Sequence, residues 1–491
     1  MPEPSRAEAI LATPNVSNCA AQPLRVEAPR GESFQRIHLG VRRGLKFFAP
    51  MEASSTQPIA GREPAADQAQ MSAAIRAVVL LMAYESYSLS IVGISSPWIA
   101  RSFHLDQAAL ARLFALISTS ALGALALSRL ADLVGRRRIM LVAMAVTPLC
   151  AAGAALARNP IVFALFEVGL FAMVGGAVSC ATVMMAEEMP VERRARGQAY
   201  AGFAATVGGC IGYFIIPLLV KKHLSWRWMF APSVVGVLML PMVAAMLPTS
   251  ARWNRAASSG SVARSNLWGV FAPLYRRRAL ALLACAALDT VAGTAVNTWL
   301  YFQAVSITGL APSTASAIVV FGSAIGTLGF PLGAWTAERF GRVPTVVQMG
   351  IMTWLGAIWF YWGPPRGFLF PTLWLGLGYA WFRISSAAMT VGANAATTEL
   401  FPTQLRGTII GWQLFNVAVF SIVAQSAIAA LAAPMGGLSR VIGWLALLGI
   451  PSALIFGAFI DETRGLDLET AAMELDDAEP DRAAEHQRGS R

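Results

Sequence analysis

The chain has 491 residues, 56% of them hydrophobic and 13% charged, about half the charged share of an ordinary soluble domain. This excludes a soluble globular protein, which would need many fully buried helices with almost no polar face. The formal net charge of +11 does not mark a nucleic-acid binder, because Arg concentrates at the ends of apolar runs, as it does in loops beside a membrane.

Residues 1–72 are polar and contain no signal-peptide core; they are expected to form a disordered cytoplasmic tail. Six apolar runs follow, at about 75–97, 108–130, 139–157, 161–185, 198–220 and 228–247. After a polar segment, six more lie at about 279–302, 313–334, 344–362, 370–396, 408–431 and 440–460. Each can cross a hydrocarbon core of about 30 Å. The expected organisation is a first bundle over 73–250, a cytoplasmic linker over 251–278, a second bundle over 279–460 and an acidic cytoplasmic tail over 461–491. An even number of spans puts both termini on one side. With the termini inside, sixteen Lys and Arg residues fall on inner loops against eight on outer ones, which favours cytoplasmic termini. Cys150, Cys180, Cys210 and Cys285 lie within the runs without metal-ligand spacing and read as small core residues.

The two halves repeat. Asp132 and Glu338 are 206 residues apart, Glu187 and Glu399 are 212 apart, and Arg196 and Arg406 are 210 apart. A near-constant offset across three charged motifs predicts an all-α membrane protein whose twelve transmembrane helices form two pseudo-symmetric six-helix bundles.

These motifs resemble the major facilitator superfamily. Its loop pattern G-x-L-A-D-R-x-G-R-R matches Ser128 to Arg137, with Ser128 for the first Gly and Leu133 for the basic residue. Three further matches resemble the branch of sugar porters, organic-ion transporters and metabolite–proton symporters. Leu247-Pro-Thr-Ser-Ala-Arg-Trp253 stands for L-P-E-S-P-R-W, and Glu399-Leu-Phe-Pro-Thr-Gln-Leu-Arg-Gly407 for E-x-[FY]-P-T-x-x-R-G. Asp461-Glu-Thr-Arg-Gly-Leu-Asp-Leu-Glu469 is close to P-E-T-K-G-x-x-L-E. The sequence departs from the pattern at Thr249, which replaces a Glu, and at Glu85, the one acid kept of a D-G-[FY]-D motif. Glu167 stands where helix 4 often carries an Arg.

The loop chemistry follows from topology. Gly135 and Gly341 permit tight turns. Arg136, Arg137, Arg138, Arg339 and Arg342 resist entering the bilayer. The resemblance implies a cytoplasmic gate in which Asp132 faces the start of helix 11 and Glu338 the start of helix 5. In it Glu187 pairs with Arg136 and Glu399 with Arg342. Arg196 and Arg406 join the network, and Arg252, Glu462 and Arg464 couple the ends of helices 6 and 12 to it. The alternative is that these charges only set topology.

Ionisable residues at membrane depth are functional candidates by default. They are Glu85 in run 1, Glu167 in run 4, Asp289 in run 7 and Arg383 in run 10, the cavity-lining set that the resemblance implies. Carboxylates in a poorly hydrated cavity suit proton uptake and release, so Glu85, Asp289 and Glu167 are the proton-coupling candidates. Arg383 would bind an organic anion or neutralise Glu167, which the repeat offset brings within a turn of it. Tyr84, Tyr87, Asn297, Trp299, Gln413 and Asn416 would contact substrate or simply pack between helices. The expected function is secondary active transport of a small organic solute, such as an organic acid or a sugar, by alternating access with proton coupling. The alternatives are an uncoupled facilitator or exchanger, drug or cation efflux by the same fold, and a non-transporting receptor. The expected partners are the solute, protons and the lipid bilayer of the inner or plasma membrane. The expected state is a monomer. No nucleophile–base arrangement, nucleotide loop or metal cluster suggests an enzyme or a cofactor.

Overall fold

The structure, a computed structural model, describes residues 64–188, 194–247, 268–363, 370–401, 403–462 and 464. Most of the expected amino-terminal tail and linker, and the acidic tail beyond residue 464, lie outside the described residues. Twelve spans follow in order, and most of them are single helices. These are α1 (Pro64–Ser102), α3 (Arg136–Leu156), α4 (Pro160–Glu188), α5 (Arg194–Lys221), α9 (Arg342–Trp362), α10 (Pro371–Glu399) and α11 (Thr403–Leu431). The remaining five are broken or change helix type along their length. They are α2 (Gln107–Ser118, then Ser120–Val134), α6 (Trp226–Val234, then Val235–Met246), α7 (Pro273–Phe302, then Gln303–Ile307), α8 (Pro312–Gly326, then Gly329–Phe340) and α12 (Leu438–Leu447, then Gly449–Phe459).

Local chemistry explains several boundaries. Pro273, Pro312 and Pro371 open α7, α8 and α10, where a missing N–H costs nothing. The Asp106 carboxylate caps α2 by accepting from the Ala109 amide at 2.6 Å. Gly135 at φ 99° and Gly341 at φ 113° make the α2–α3 and α8–α9 turns, backbone that a side chain would strain. Among the described residues, eleven helices are long and apolar enough to cross a membrane. The twelfth, α10, has 29 residues but carries Arg383 and many small polar residues.

The halves are related by the expected pseudo-symmetry. They touch through α1 with α7, α2 with α11, and α5 with α8. A shift of six helices exchanges the last two pairs and returns the first to itself. A single buried cluster joins the halves at the end carrying the α1–α2 turn, including Leu110 and Phe114 of one half with Trp299, Tyr301 and Leu438 of the other. Phe114 meets Trp299 at 5.1 Å and Trp98 meets Tyr301 at 6.3 Å between ring centroids. The Gln107 side-chain oxygen accepts from the Leu438 amide at 3.2 Å. At the end carrying Gly135 and Gly341 the core divides in two. One part contains Ile139, Met184 and Leu247, the other Leu282, Phe401 and Ile460. The buried apolar core is thus continuous between the halves at one end and divided at the hairpin end.

The antiparallel helices α3 and α6 cap each other. Arg137, in the first turn of α3, donates to the Ala244 and Leu247 carbonyls that end α6, at 2.7 and 2.9 Å. Arg227, in the first turn of α6, donates to the Ala155 and Ala157 carbonyls at the end of α3, at 2.7 and 2.8 Å. A cation at a helix carboxyl end is favourable, where the last carbonyls have no partner within the helix. The Arg227 guanidinium also lies 4.8 Å from the Trp226 ring. Arg227→Ala should therefore lower stability by about 2 kcal/mol, read as a drop in thermal melting in detergent. A lysine there should recover only part, lacking the planar guanidinium that lies against the Trp226 ring.

Candidate functional site

A cavity of about 330 Å³ lies between the halves. Its lining comes from α1 (Ser90), α5 (Thr206, Cys210, Tyr213), α8 (Val319, Ser323) and α10 (Tyr379, Arg383). Arg383 is its one charge. The Arg383 Nε is buried and has no hydrogen-bond partner; its electrostatic neighbours are Cys210, Tyr213 and Tyr379. Tyr379 precedes Arg383 by one helical turn, and its hydroxyl lies 3.1 Å from the Ser323 hydroxyl.

Helix α8 positions this pair. Its Gly322 lies directly beneath the Tyr379 ring, and a Cβ on Gly326 would stand 2.6 Å from the Arg383 Cβ. The two glycines, four residues apart on one face, let α8 approach α10 where the cavity needs its cation. Gly326→Val should push Arg383 out of register at a cost of about 1–3 kcal/mol. In transport assays it should raise KM more than it lowers surface expression.

The structure separates the expected site residues. Arg383 lines the cavity, but none of the three expected carboxylates does. Glu85 in α1 is fully buried and neither of its oxygens has a hydrogen-bond partner. Glu167 in α4 is likewise buried and unpartnered; its electrostatic neighbour is Cys150 of α3. The expected Glu167–Arg383 pair does not form, because α4 turns this position into its own bundle. Asp289 in α7 lies beside Ser452 and Trp354 inside the second bundle, with its Oδ1 buried and unpartnered.

The expected polar contacts are mostly packing. Tyr84 and Tyr87 donate to the Ser233 and Met229 carbonyls of α6. Trp299 donates to Gln425 at 3.0 Å, Asn416 to the Leu283 carbonyl at 2.6 Å, and Asn297 to the Gly293 carbonyl of its own helix. Neither these five nor Gln413 lines the cavity. The lining that the sequence did not single out, on α5 and α8 together with Ser90 of α1 and Tyr379 of α10, is uncharged. One signal was available: the repeat offset applied to Glu167 lands on Tyr379.

At the hairpin end, Glu462 accepts from the Arg342 and Val343 amides at 2.8 and 2.9 Å, capping α9, and also from the Arg464 amide at 3.0 Å. Arg342 donates from its guanidinium to Ala337 at 3.4 Å. Arg339 lies over the Trp335 and Phe340 rings, and Glu338 is exposed. Arg137 and Glu462 thus tie the ends of α6 and α12 to the first turns of α3 and α9 within their own bundles. The side chains of Asp132, Glu187, Arg196, Glu399 and Arg406, and all of Arg252, lie outside the described residues. No group of His, Cys, Asp and Glu able to hold a metal occurs among the described residues.

Twelve spans in two pseudo-symmetric bundles with a solute-sized cavity between them define a membrane transporter. The family model for the Major Facilitator Superfamily matches residues 78–425, and the chain belongs to that superfamily. It is similar to a "probable 4-methylmuconolactone transporter" of Cupriavidus pinatubonensis, at 26% identity over 399 residues, 79% of this chain and 90% of that protein. It is also similar to a gentisate transporter of Corynebacterium glutamicum, at 21% identity over 350 residues, 70% of this chain and 77% of that protein. Among solved structures, the inward open conformation of the E. coli xylose transporter aligns with a TM-score of 0.60 at 17% identity, over 83% of this chain and 98% of that one. The protein is an integral, multi-pass secondary transporter of small organic solutes and not an enzyme.

Proposed function

We propose that this transporter carries a small organic acid with a flat ring or conjugated skeleton into the cell, coupled to protons. The observation that supports this most is Arg383, a cation whose buried Nε is unpartnered, in a cavity with no carboxylate in its lining. A guanidinium binds a carboxylate through paired N–H donors, and Tyr213 and Tyr379 offer ring faces beside it. The cavity chemistry disfavours cation efflux. The names of the muconolactone and gentisate relatives agree with the reading.

Glu85 is the proton carrier in this scheme, because an ionised carboxylate with both oxygens unpartnered is costly at membrane depth. The Arg-rich hairpin end is cytoplasmic, so the divided end of the core faces the cytoplasm. The cell membrane is the site of action. A monomer suffices, since one chain encloses the whole cavity. The test is uptake into reconstituted vesicles of labelled gentisate, 4-methylmuconolactone, D-xylose and tetraethylammonium, with the outside acidic. Accumulation of the acids alone, abolished by a protonophore, is expected. Uptake of xylose or the cation in their place would refute the substrate class; acid uptake indifferent to the protonophore would refute the coupling.

A further inference from the structure

The end opposite the hairpins carries a concentration of positive charge that transport does not use. Arg158 follows α3, Lys221 ends α5 and Lys222 follows it. All three are exposed and make no ion pair or side-chain hydrogen bond. Arg101, His104 and His223 stand exposed on the same face. The nearby acid, Asp106, is committed to capping α2.

The fold draws these loops together. Arg227 bonds the α3 carbonyls of Ala155 and Ala157, which fixes the α5–α6 turn against the residue preceding Arg158. The Trp226 ring packs on Phe163 at 5.8 Å and on Phe103 at 6.2 Å between centroids, joining the α1–α2 and α3–α4 turns to the same knot. Neither α3 nor α6 is among the helices that join the halves, so their outer faces look away from the cavity. Those faces expose apolar side chains up to the level of the cations: Leu156 is 80% exposed, Ile161 61% and Trp228 58%. Apolar exposure that ends in a row of unpaired cations has the layout of acyl chains below a phosphate. Basic residues clustered at the level of the headgroups attract an anionic lipid.

We infer that the α3–α6 edge is a binding site for an anionic glycerophospholipid, with Arg158, Lys221 and Lys222 around the phosphate and Leu156, Ile161 and Trp228 along its chains. A zwitterionic headgroup places its own ammonium beside the phosphate and so competes with these cations. The site lies apart from the solute cavity and does not depend on the substrate assigned above.

The test uses the full-length protein in detergent, melted with added phosphatidylglycerol, with phosphatidylcholine of the same chains, or with inorganic phosphate. In parallel, hydrogen exchange is followed in nanodiscs of each lipid. Phosphatidylglycerol should raise the melting temperature more than phosphatidylcholine and slow exchange over 155–161 and 220–230. The Arg158→Gln/Lys221→Gln/Lys222→Gln variant should lose that slowing and most of the extra rise. Arg276→Gln, an exposed charge at the hairpin end, should keep both. Equal effects of the two lipids, full retention in the triple variant, or a matching rise with inorganic phosphate would each overturn the assignment.

Discussion

Arg383→Ala is expected to reduce uptake of an organic anion by about a hundredfold or more, because removing one partner of a buried charge pair costs about 3–5 kcal/mol and each 1.4 kcal/mol is tenfold. The loss should appear mainly in KM and in counterflow, at equal incorporation into vesicles. In the folded protein the side chain supports no helix end and pairs with no carboxylate, so its removal should barely change melting. Arg383→Lys keeps the charge but not the planar fork, and should retain part of the uptake with weaker discrimination among acids. Tyr379→Phe removes only the hydroxyl that meets Ser323 and should have a much smaller effect. If Arg383→Ala transports the acid as well as the unaltered protein, the guanidinium is not the anion site. If it melts early, the residue is structural.

Much of this arrangement was legible in the sequence, for identifiable reasons. Apolar length dictates the spans, and a duplicated set of charged turns dictates the pseudo-symmetry, so neither depends on how a helix is rotated. Arg383 stood out because a charge at membrane depth is rare. Its surroundings did not, because Ser90, Thr206, Cys210, Tyr213 and Ser323 are residue types that also pack helices together. Rotation about the helix axis was the missing quantity. It turns Glu167 towards α3, Asp289 towards α9 and α12, and Tyr84 and Tyr87 towards α6, although each lies at a plausible depth. Helix ends also take up charge locally: unsatisfied carbonyls at the end of α6 hold Arg137, and unsatisfied amides at the start of α9 hold Glu462.

Glu85→Gln should abolish acid-driven accumulation while leaving counterflow close to its normal rate. The amide has the size of the protonated acid and adds no charge, so a group that makes no hydrogen bond in this conformation loses little stability on replacement. What it loses is the ability to release a proton. Counterflow exchanges one solute for another without changing protonation and needs only the opening and closing of the two halves. Accumulation needs a proton to be let go on the far side. Each pH unit across the membrane supplies about 1.4 kcal/mol per proton, or about tenfold accumulation. A gradient of two units should therefore drive the unaltered transporter towards about a hundredfold accumulation, while Glu85→Gln stops near equal concentrations. Glu167→Gln and Asp289→Asn measure the same property at the other two buried acids. If either of them, and not Glu85→Gln, uncouples accumulation from counterflow, that residue is the carrier and Glu85 is a packing group of α1.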